Sequence, residues 1–122
     1  MSHAANIVSI HPYFKAKPGK LAEVKTLLPQ LVAKTAPEKL MLQYDFTIHG
    51  DEIFCRESYL GAEGLLVHSE SISALLGQLL QLADLTRVEV HGPAAELEKL
   101  KGPMAGLKPA WFVYECGVIR AV

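Results

Sequence analysis

The chain has 122 residues, half of them hydrophobic and a fifth charged, with a formal net charge of −1. That length fits one domain with a real core and excludes two, and near-neutrality with 12 scattered Lys and Arg excludes a nucleic-acid footprint. No apolar run approaches the roughly 18 residues of a membrane span, and Met1-Ser2-His3-Ala4-Ala5-Asn6 lacks the basic start and apolar centre of a signal peptide, so a cytoplasmic protein is expected.

Asn6 to Phe14 reads as a first strand, with Pro12 near its end favouring an edge or a bend. Pro18 and Gly19 open a helix to about Thr35, whose Leu21, Val24, Leu28, Leu31 and Val32 recur at helical spacing while lysines and Glu23 take the outer face. Pro29 inside it predicts a kink or break. Leu40 to His49 alternates, with Leu40, Leu42, Tyr44, Phe46 and Ile48 on one face. Gly50-Asp51 supplies a two-residue turn, and Glu52 to Tyr59 returns as a third strand.

A second helical region spans Ala62 to about Ala83, broken near Ser69 to Ser71, where serines suit a new cap. Leu85 to His91 is a fourth strand, Ala94 to Lys101 a short helix stopped by Gly102-Pro103, and Pro109 to Ile119 an aromatic fifth strand. The order βαββαβ, then helix and strand, predicts an α+β sandwich with helices on one face of an antiparallel sheet. The appended last strand suits an exposed sheet edge, the chain's own or a partner's. Cys55 and Cys116 lack metal or redox spacing and are expected to be buried free thiols.

Hairpin counting singles out one carboxylate. With Gly50-Asp51 as the turn, His49 opposes Glu52, Phe46 opposes Cys55 and Tyr44 opposes Glu57. Glu57 and Tyr59 then lie on the apolar face that meets the helices, where a carboxylate is costly unless hydrogen-bonded or neutral. Two readings stand: a general acid or base with a raised pKa, or a structural carboxylate satisfied by Tyr44, a helix end or a backbone amide. His68, at the edge of Leu65-Leu66-Val67, is either a proton carrier beside Glu57 or a solvated or interface histidine. Asn6 is a weak polar candidate, and Trp111 reads as core or interface. His3 sits near the terminus, and His11, His49 and His91 lie on three strands without ligand spacing, so no metal is expected. Nothing resembles a phosphate loop, a dinucleotide fingerprint or a nucleophile elbow.

Taken together, residues 6 to 91 resemble the antibiotic biosynthesis monooxygenase (ABM) domain family. Lys17-Pro18-Gly19-Lys20 matches its helix start, Glu38, Leu42 and Tyr44 match its next segment, and Glu57-Ser58-Tyr59 through His68 matches its last motif. Lys39 and Leu40 replace its usual Pro-Gly, Tyr59 stands where Trp is common, and residues 93 to 122 form an extension of the single 1–122 domain.

The resemblance implies a ferredoxin-like subunit that dimerises through its sheet into a dimeric α/β barrel. It implies a cofactor-independent monooxygenase acting on a small aromatic or quinol-like molecule, with Glu57 or His68 taking the substrate proton and Tyr44, Tyr59 and Asn6 binding. No cofactor, nucleic acid or membrane partner is expected. An isomerase or epimerase using the same pair, and a non-catalytic small-molecule-binding homodimer, are the alternatives.

Overall fold

The structure, a computed structural model, describes residues 6–120. Strand β1 (Ile7–Ala16) leads to helix α1 (Leu21–Thr35), the hairpin β2 (Met41–His49) and β3 (Glu52–Leu60), and helices α2 (Gly61–Ser71) and α3 (Ser73–Leu82). Strand β4 (Ala83–Gly92), helix α4 (Ala94–Leu100), a 3₁₀ turn (Ala105–Leu107) and strand β5 (Ala110–Val113) complete it. The sheet order is β2-β3-β1-β4-β5. Pairings β2–β3, β3–β1 and β1–β4 are antiparallel. The last, β4–β5, is parallel, so the sheet is mixed rather than wholly antiparallel. Its α+β, ferredoxin-like architecture is as expected.

Side chains alternate across the strands. Val8, Ile10, Phe14 and Ala16 of β1 point to the helices with Ile53, Cys55, Glu57 and Tyr59 of β3. The apolar core divides into two clusters. One gathers Val8, Ile10, Tyr59 and Leu65 with Val88, Val90 and, from the extension, Leu97, Leu100 and Met104. The other joins Phe14 and Ile53 to the buried stripe of α1 and to Ile72 and Leu79.

Several elements differ from expectation, each for a local reason. Helix α1 runs through Pro29 without a break, because Pro29 lies on its exposed side, where water reaches the unpaired carbonyl. Val32 is exposed at the helix surface, and Thr35 takes a buried place on the inner stripe. An irregularity between Met41 and Gln43 sets Met41, not Leu42, opposite Tyr59 and turns Leu42 outward. The break in the second helical region falls at Ile72, and no serine side chain caps it: the Ile72 N–H donates to the His68 carbonyl and the Ile72 carbonyl accepts from Leu76. Strand β4 begins at Ala83, where a helix end was expected. Strand β5 is shorter than expected and pairs with the chain's own β4; Cys116, in the segment beyond it, is exposed. No helix among the described residues is long and apolar enough to cross a membrane.

Candidate functional site

Three local features deliver one histidine to one carboxylate. Hairpin register places Tyr44 beside Glu57 and Phe46 beside Cys55, as counting from Gly50 predicts, and Gly50 adopts the positive φ (61°) its turn needs. Gly64 lets α2 lie close on the sheet: a Cβ there would stand 2.8 Å from the Tyr59 Cβ and 3.1 Å from the Leu40 Cβ. His68 follows Gly64 by four residues, so it sits one turn on along the same helix face. The start of α2 is held from the extension, where Glu96 Oε1 accepts the Ala62 N–H at 2.9 Å and Lys99 grips Oε2 at 2.7 Å.

The result is a buried chain of polar groups at the seam between the two core clusters. The Tyr59 hydroxyl donates to Glu57 Oε1 at 2.6 Å. The same oxygen lies 3.4 Å from His68 Nε2. On the other side of the ring, Nδ1 lies 3.1 Å and 3.2 Å from the two Glu38 oxygens and 3.5 Å from the Thr35 hydroxyl. The Tyr44 and Tyr59 rings flank the imidazole at centroid distances of 4.8 Å and 5.1 Å. His68 is 2% exposed, Glu57 7% and Thr35 0%, so bulk water does not screen these groups. Among the described residues no buried side-chain polar atom lacks a hydrogen-bond partner.

Burial dominates the electrostatics. Desolvation pushes Glu57 up to about 7, against hydrogen bonds from Tyr59 and Cys55 that favour its anion, while Glu38 adds to the rise. Desolvation lowers His68, against Glu38, which favours the imidazolium. The Tyr44 and Tyr59 phenols and the Cys55 thiol are all raised by burial, so they are neutral donors near pH 7. The 3.4 Å contact between Glu57 and His68 has the distance of an ion pair, but both shifts favour the uncharged forms. It is therefore a contact between a carboxyl and an imidazole that burial holds toward their uncharged forms, rather than a structural salt bridge. Two oxygens of Glu38 at Nδ1 place the proton there and leave the Nε2 lone pair facing Glu57.

Of the sequence candidates, the fold brings Glu57, His68, Tyr44 and Tyr59 together. It does not bring Asn6: that residue is exposed before β1, in a surface hollow beside Glu96 and Lys99, and it does not line the Glu57 cavity. His11 and His91 meet on the opposite face of the sheet, their rings 4.8 Å apart; His3 lies outside the described residues. Among the described residues, no group of three or more His, Cys, Asp or Glu could hold a metal ion.

Sequence reasoning missed Glu38 and Thr35 as site residues. Thr35 carried a signal, as a hydroxyl seven residues after Leu28 on the inner stripe of α1. Glu38 carried little, since its partner is 30 residues away in the chain.

The cavity beside Glu57 and His68 is otherwise apolar. Ile10, Phe14, Leu31, Leu65 and Val88 line it from the sheet and the first two helices, Leu76, Leu79 and Leu80 from α3, and Met104 and Leu107 from the extension. Such a pocket, apolar with a few converging polar groups, is the usual form of a small-molecule site.

No protein-family model matches the sequence, and a search of curated proteins returns no match. Solved structures do match. MupZ from Pseudomonas fluorescens is 37% identical with a TM-score of 0.90, over 94% of this chain and 95% of that one. An antibiotic biosynthesis monooxygenase is 22% identical with a TM-score of 0.60, over 68% of this chain and 92% of that one. A Bacteroides thetaiotaomicron protein described as a possible oxidoreductase is 17% identical with a TM-score of 0.64, over 71% of this chain and 97% of that one. The last two share the fold alone and leave about three tenths of this chain without a counterpart. The MupZ match leaves too little unmatched to omit the extension.

Proposed function

This chain belongs to the same family as MupZ from Pseudomonas fluorescens, and from the geometry of its buried site we propose that it is a proton-transfer enzyme whose acid–base pair is Glu57 and His68. The observation that carries the reading is the Glu38–His68–Glu57 line itself. A carboxylate backs the imidazole through Nδ1, its free Nε2 lone pair faces a second carboxyl, and burial pushes that carboxyl up to about 7. A group whose pKa lies near the working pH both accepts and returns protons efficiently. Tyr44 and Tyr59 frame the reacting atoms.

The specific reaction that the fold neighbours favour is cofactor-independent monooxygenation of a small, apolar, electron-rich molecule. His68 or ionised Glu57 removes a proton from an activated C–H or O–H. The resulting carbanion or phenolate gives an electron to oxygen, the two radicals join as a hydroperoxide at carbon, and its O–O bond breaks with loss of water, leaving one oxygen atom on the substrate as a carbonyl. Glu38 stabilises the imidazolium formed on the way, and the raised phenol of Tyr44, which lines the cavity, remains a donor to the developing oxyanion, while the Tyr59 hydroxyl stays on Glu57. The support for oxygen is the shared fold with an antibiotic biosynthesis monooxygenase, and one fold hosts many reactions.

A second reading, isomerisation of a small oxygenated molecule, draws on a specific feature. Glu57 near neutrality and His68 uncharged are suited to taking a proton at one atom and returning it at another. Oxygen uptake by the pure protein over a panel of straight-chain enolisable ketones, with quinols and anthrones as the bulkier comparison, separates the two. Uptake that collapses in Glu57→Gln supports the oxygenase; turnover indifferent to oxygen but lost in Glu57→Gln supports the isomerase. Full turnover in both Glu57→Gln and His68→Ala, each folded, contradicts either.

The outer face of the sheet supports assembly as a homodimer. Tyr13, Phe54, His11, His91 and Phe112 form a continuous row of rings there, each centroid within 5.9 Å of the next. Phe112, Val113 and Val118 stand exposed at its edge, Val118 at 88%.

A further inference from the structure

The walls of the Glu57 cavity carry no lysine or arginine. Apart from Glu57 and His68, their polar atoms come from neutral groups: the Tyr44 hydroxyl, the Cys55 thiol and the Ser69 hydroxyl. A carboxylate, sulfate or phosphate drawn inside would lose its water and gain no cation, which weakens its binding. The reacting molecule is therefore uncharged where it is enclosed.

Its girth is limited as well. The free cavity is about 80 Å³, against the roughly 150 Å³ of a protein cavity that admits benzene. A slender chain occupies such a space with little rearrangement, whereas a ring has to displace the walls. Among the lining side chains only Leu80 and Leu107 are exposed, at 38% and 37%, which locates the mouth between α3 and the 3₁₀ turn.

Half of that mouth belongs to the extension. Leu107 forms its rim, and Met104, 5% exposed, forms part of the wall behind. Methionine is unbranched and yields its shape readily to a ligand. Through Glu96 the same extension holds the start of the helix that carries His68.

We propose that residues 93 to 113 are the specificity element of this cavity, and that its substrate is a neutral, slender, largely hydrocarbon molecule entering between Leu80 and Leu107 with its oxygen function leading to Glu57 and His68. The proposal rests on the reading of that pair as the reacting end. Met104 and Leu107 set how long a chain the cavity accepts.

Calorimetric binding at pH 8 of straight-chain alkanols from butanol to decanol, each paired with the carboxylate of equal length, tests it. The alkanols bind with a preferred length, and the carboxylates bind at least about tenfold more weakly, the ratio expected for roughly 1.4 kcal/mol of uncompensated desolvation. Leu107→Trp, at a partly exposed position that tolerates a larger side chain, moves the preferred length shorter. Met104→Ala, checked for folding by circular dichroism, moves it longer. Carboxylates binding as well as alkanols, or one preferred length in wild type and Leu107→Trp alike, overturns the proposal. Glu57→Gln separates this inference from the catalytic reading, since its alkanol length preference persists even though turnover is lost. A length preference in a protein that turns over none of the compounds tested for proton transfer leaves this inference standing and counts against catalysis.

Discussion

Glu38 and His68, thirty residues apart in the chain, meet with both carboxylate oxygens within 3.2 Å of the imidazole Nδ1. The contact fixes which ring nitrogen carries the proton and favours the imidazolium when one forms. Replacing Glu38 by Gln keeps the size and removes the charge. His68, already lowered by burial, then loses the attraction that opposes that lowering, so its pKa falls further, as NMR titration of the imidazole Cε1 proton will show. Turnover falls by about a hundredfold, the scale of one assisted proton transfer. An unchanged His68 titration contradicts the assignment.

Stability should depend on pH through Glu57 in a definite direction. Its folded pKa, about 7, exceeds its ordinary 4.5, so the folded state holds a proton that the unfolded state has released between those values. The stabilisation is complete below pH 4.5 and is lost as pH rises through 7, a change of up to about 3 kcal/mol for a shift of this size. His68 works oppositely. Its lowered pKa gives stability that is present above its ordinary 6.5 and lost as pH falls through the folded value. Glu57→Gln removes only the first effect. Urea denaturation across pH 5 to 8 will show the variant gaining on wild type as pH rises; parallel curves count against a neutral Glu57.

Gly61 tests the link from the extension to the helix that carries His68. Its φ is +70°, and a Cβ would come 2.9 Å from the Glu96 oxygen that accepts the Ala62 N–H. Alanine there combines a left-handed backbone cost of about 1–2 kcal/mol with a strained Glu96 contact. Gly61→Ala therefore loses roughly 2–3 kcal/mol in chemical denaturation. Glu96→Gln, which keeps an acceptor but loses the Lys99 pair, loses less. Equal stability of Gly61→Ala and wild type removes the extension's role in seating α2.

The hairpin was the most legible part of the sequence, because a strict two-residue period and one glycine turn fix every cross-strand neighbour. Tyr44 opposite Glu57 follows from counting alone. Counting failed one step further on: an irregularity at Met41–Gln43 carries no compositional mark, so Leu42 was assigned to a face it does not occupy. For His68 the sequence leaves a place beside Glu57 and a solvated or interface place both open, and Glu38 is hidden in a connection whose path only tertiary packing sets. Asn6 failed for a related reason, since it precedes β1 and its place in the chain does not set its distance from a pocket deeper in the fold. The walls of the cavity escaped as well, because Met104 and Leu107 reach it through a turn between two elements, which no periodicity describes.

The row of half-buried rings on the outer face of the sheet, ending at the exposed Phe112, bears on assembly. Sedimentation equilibrium of the wild type should return twice the mass of the chain. Phe54→Glu puts a charge among Tyr13, His11 and Arg56 at the centre of that face and should shift the mass to that of one chain while leaving the circular dichroism spectrum intact. A monomeric wild type at tens of micromolar contradicts the homodimer.

The central claim is that Glu57 is a carboxyl tuned to exchange protons near neutrality. Its most direct test is the ¹³C NMR titration of the Glu57 side-chain carboxyl in otherwise unlabelled background, assigned by its absence in Glu57→Gln. The account predicts a midpoint near pH 7, where burial places it. A midpoint at or below the ordinary 4.5 would mean a permanently charged structural carboxylate, and the acid–base reading of the site would fall with it.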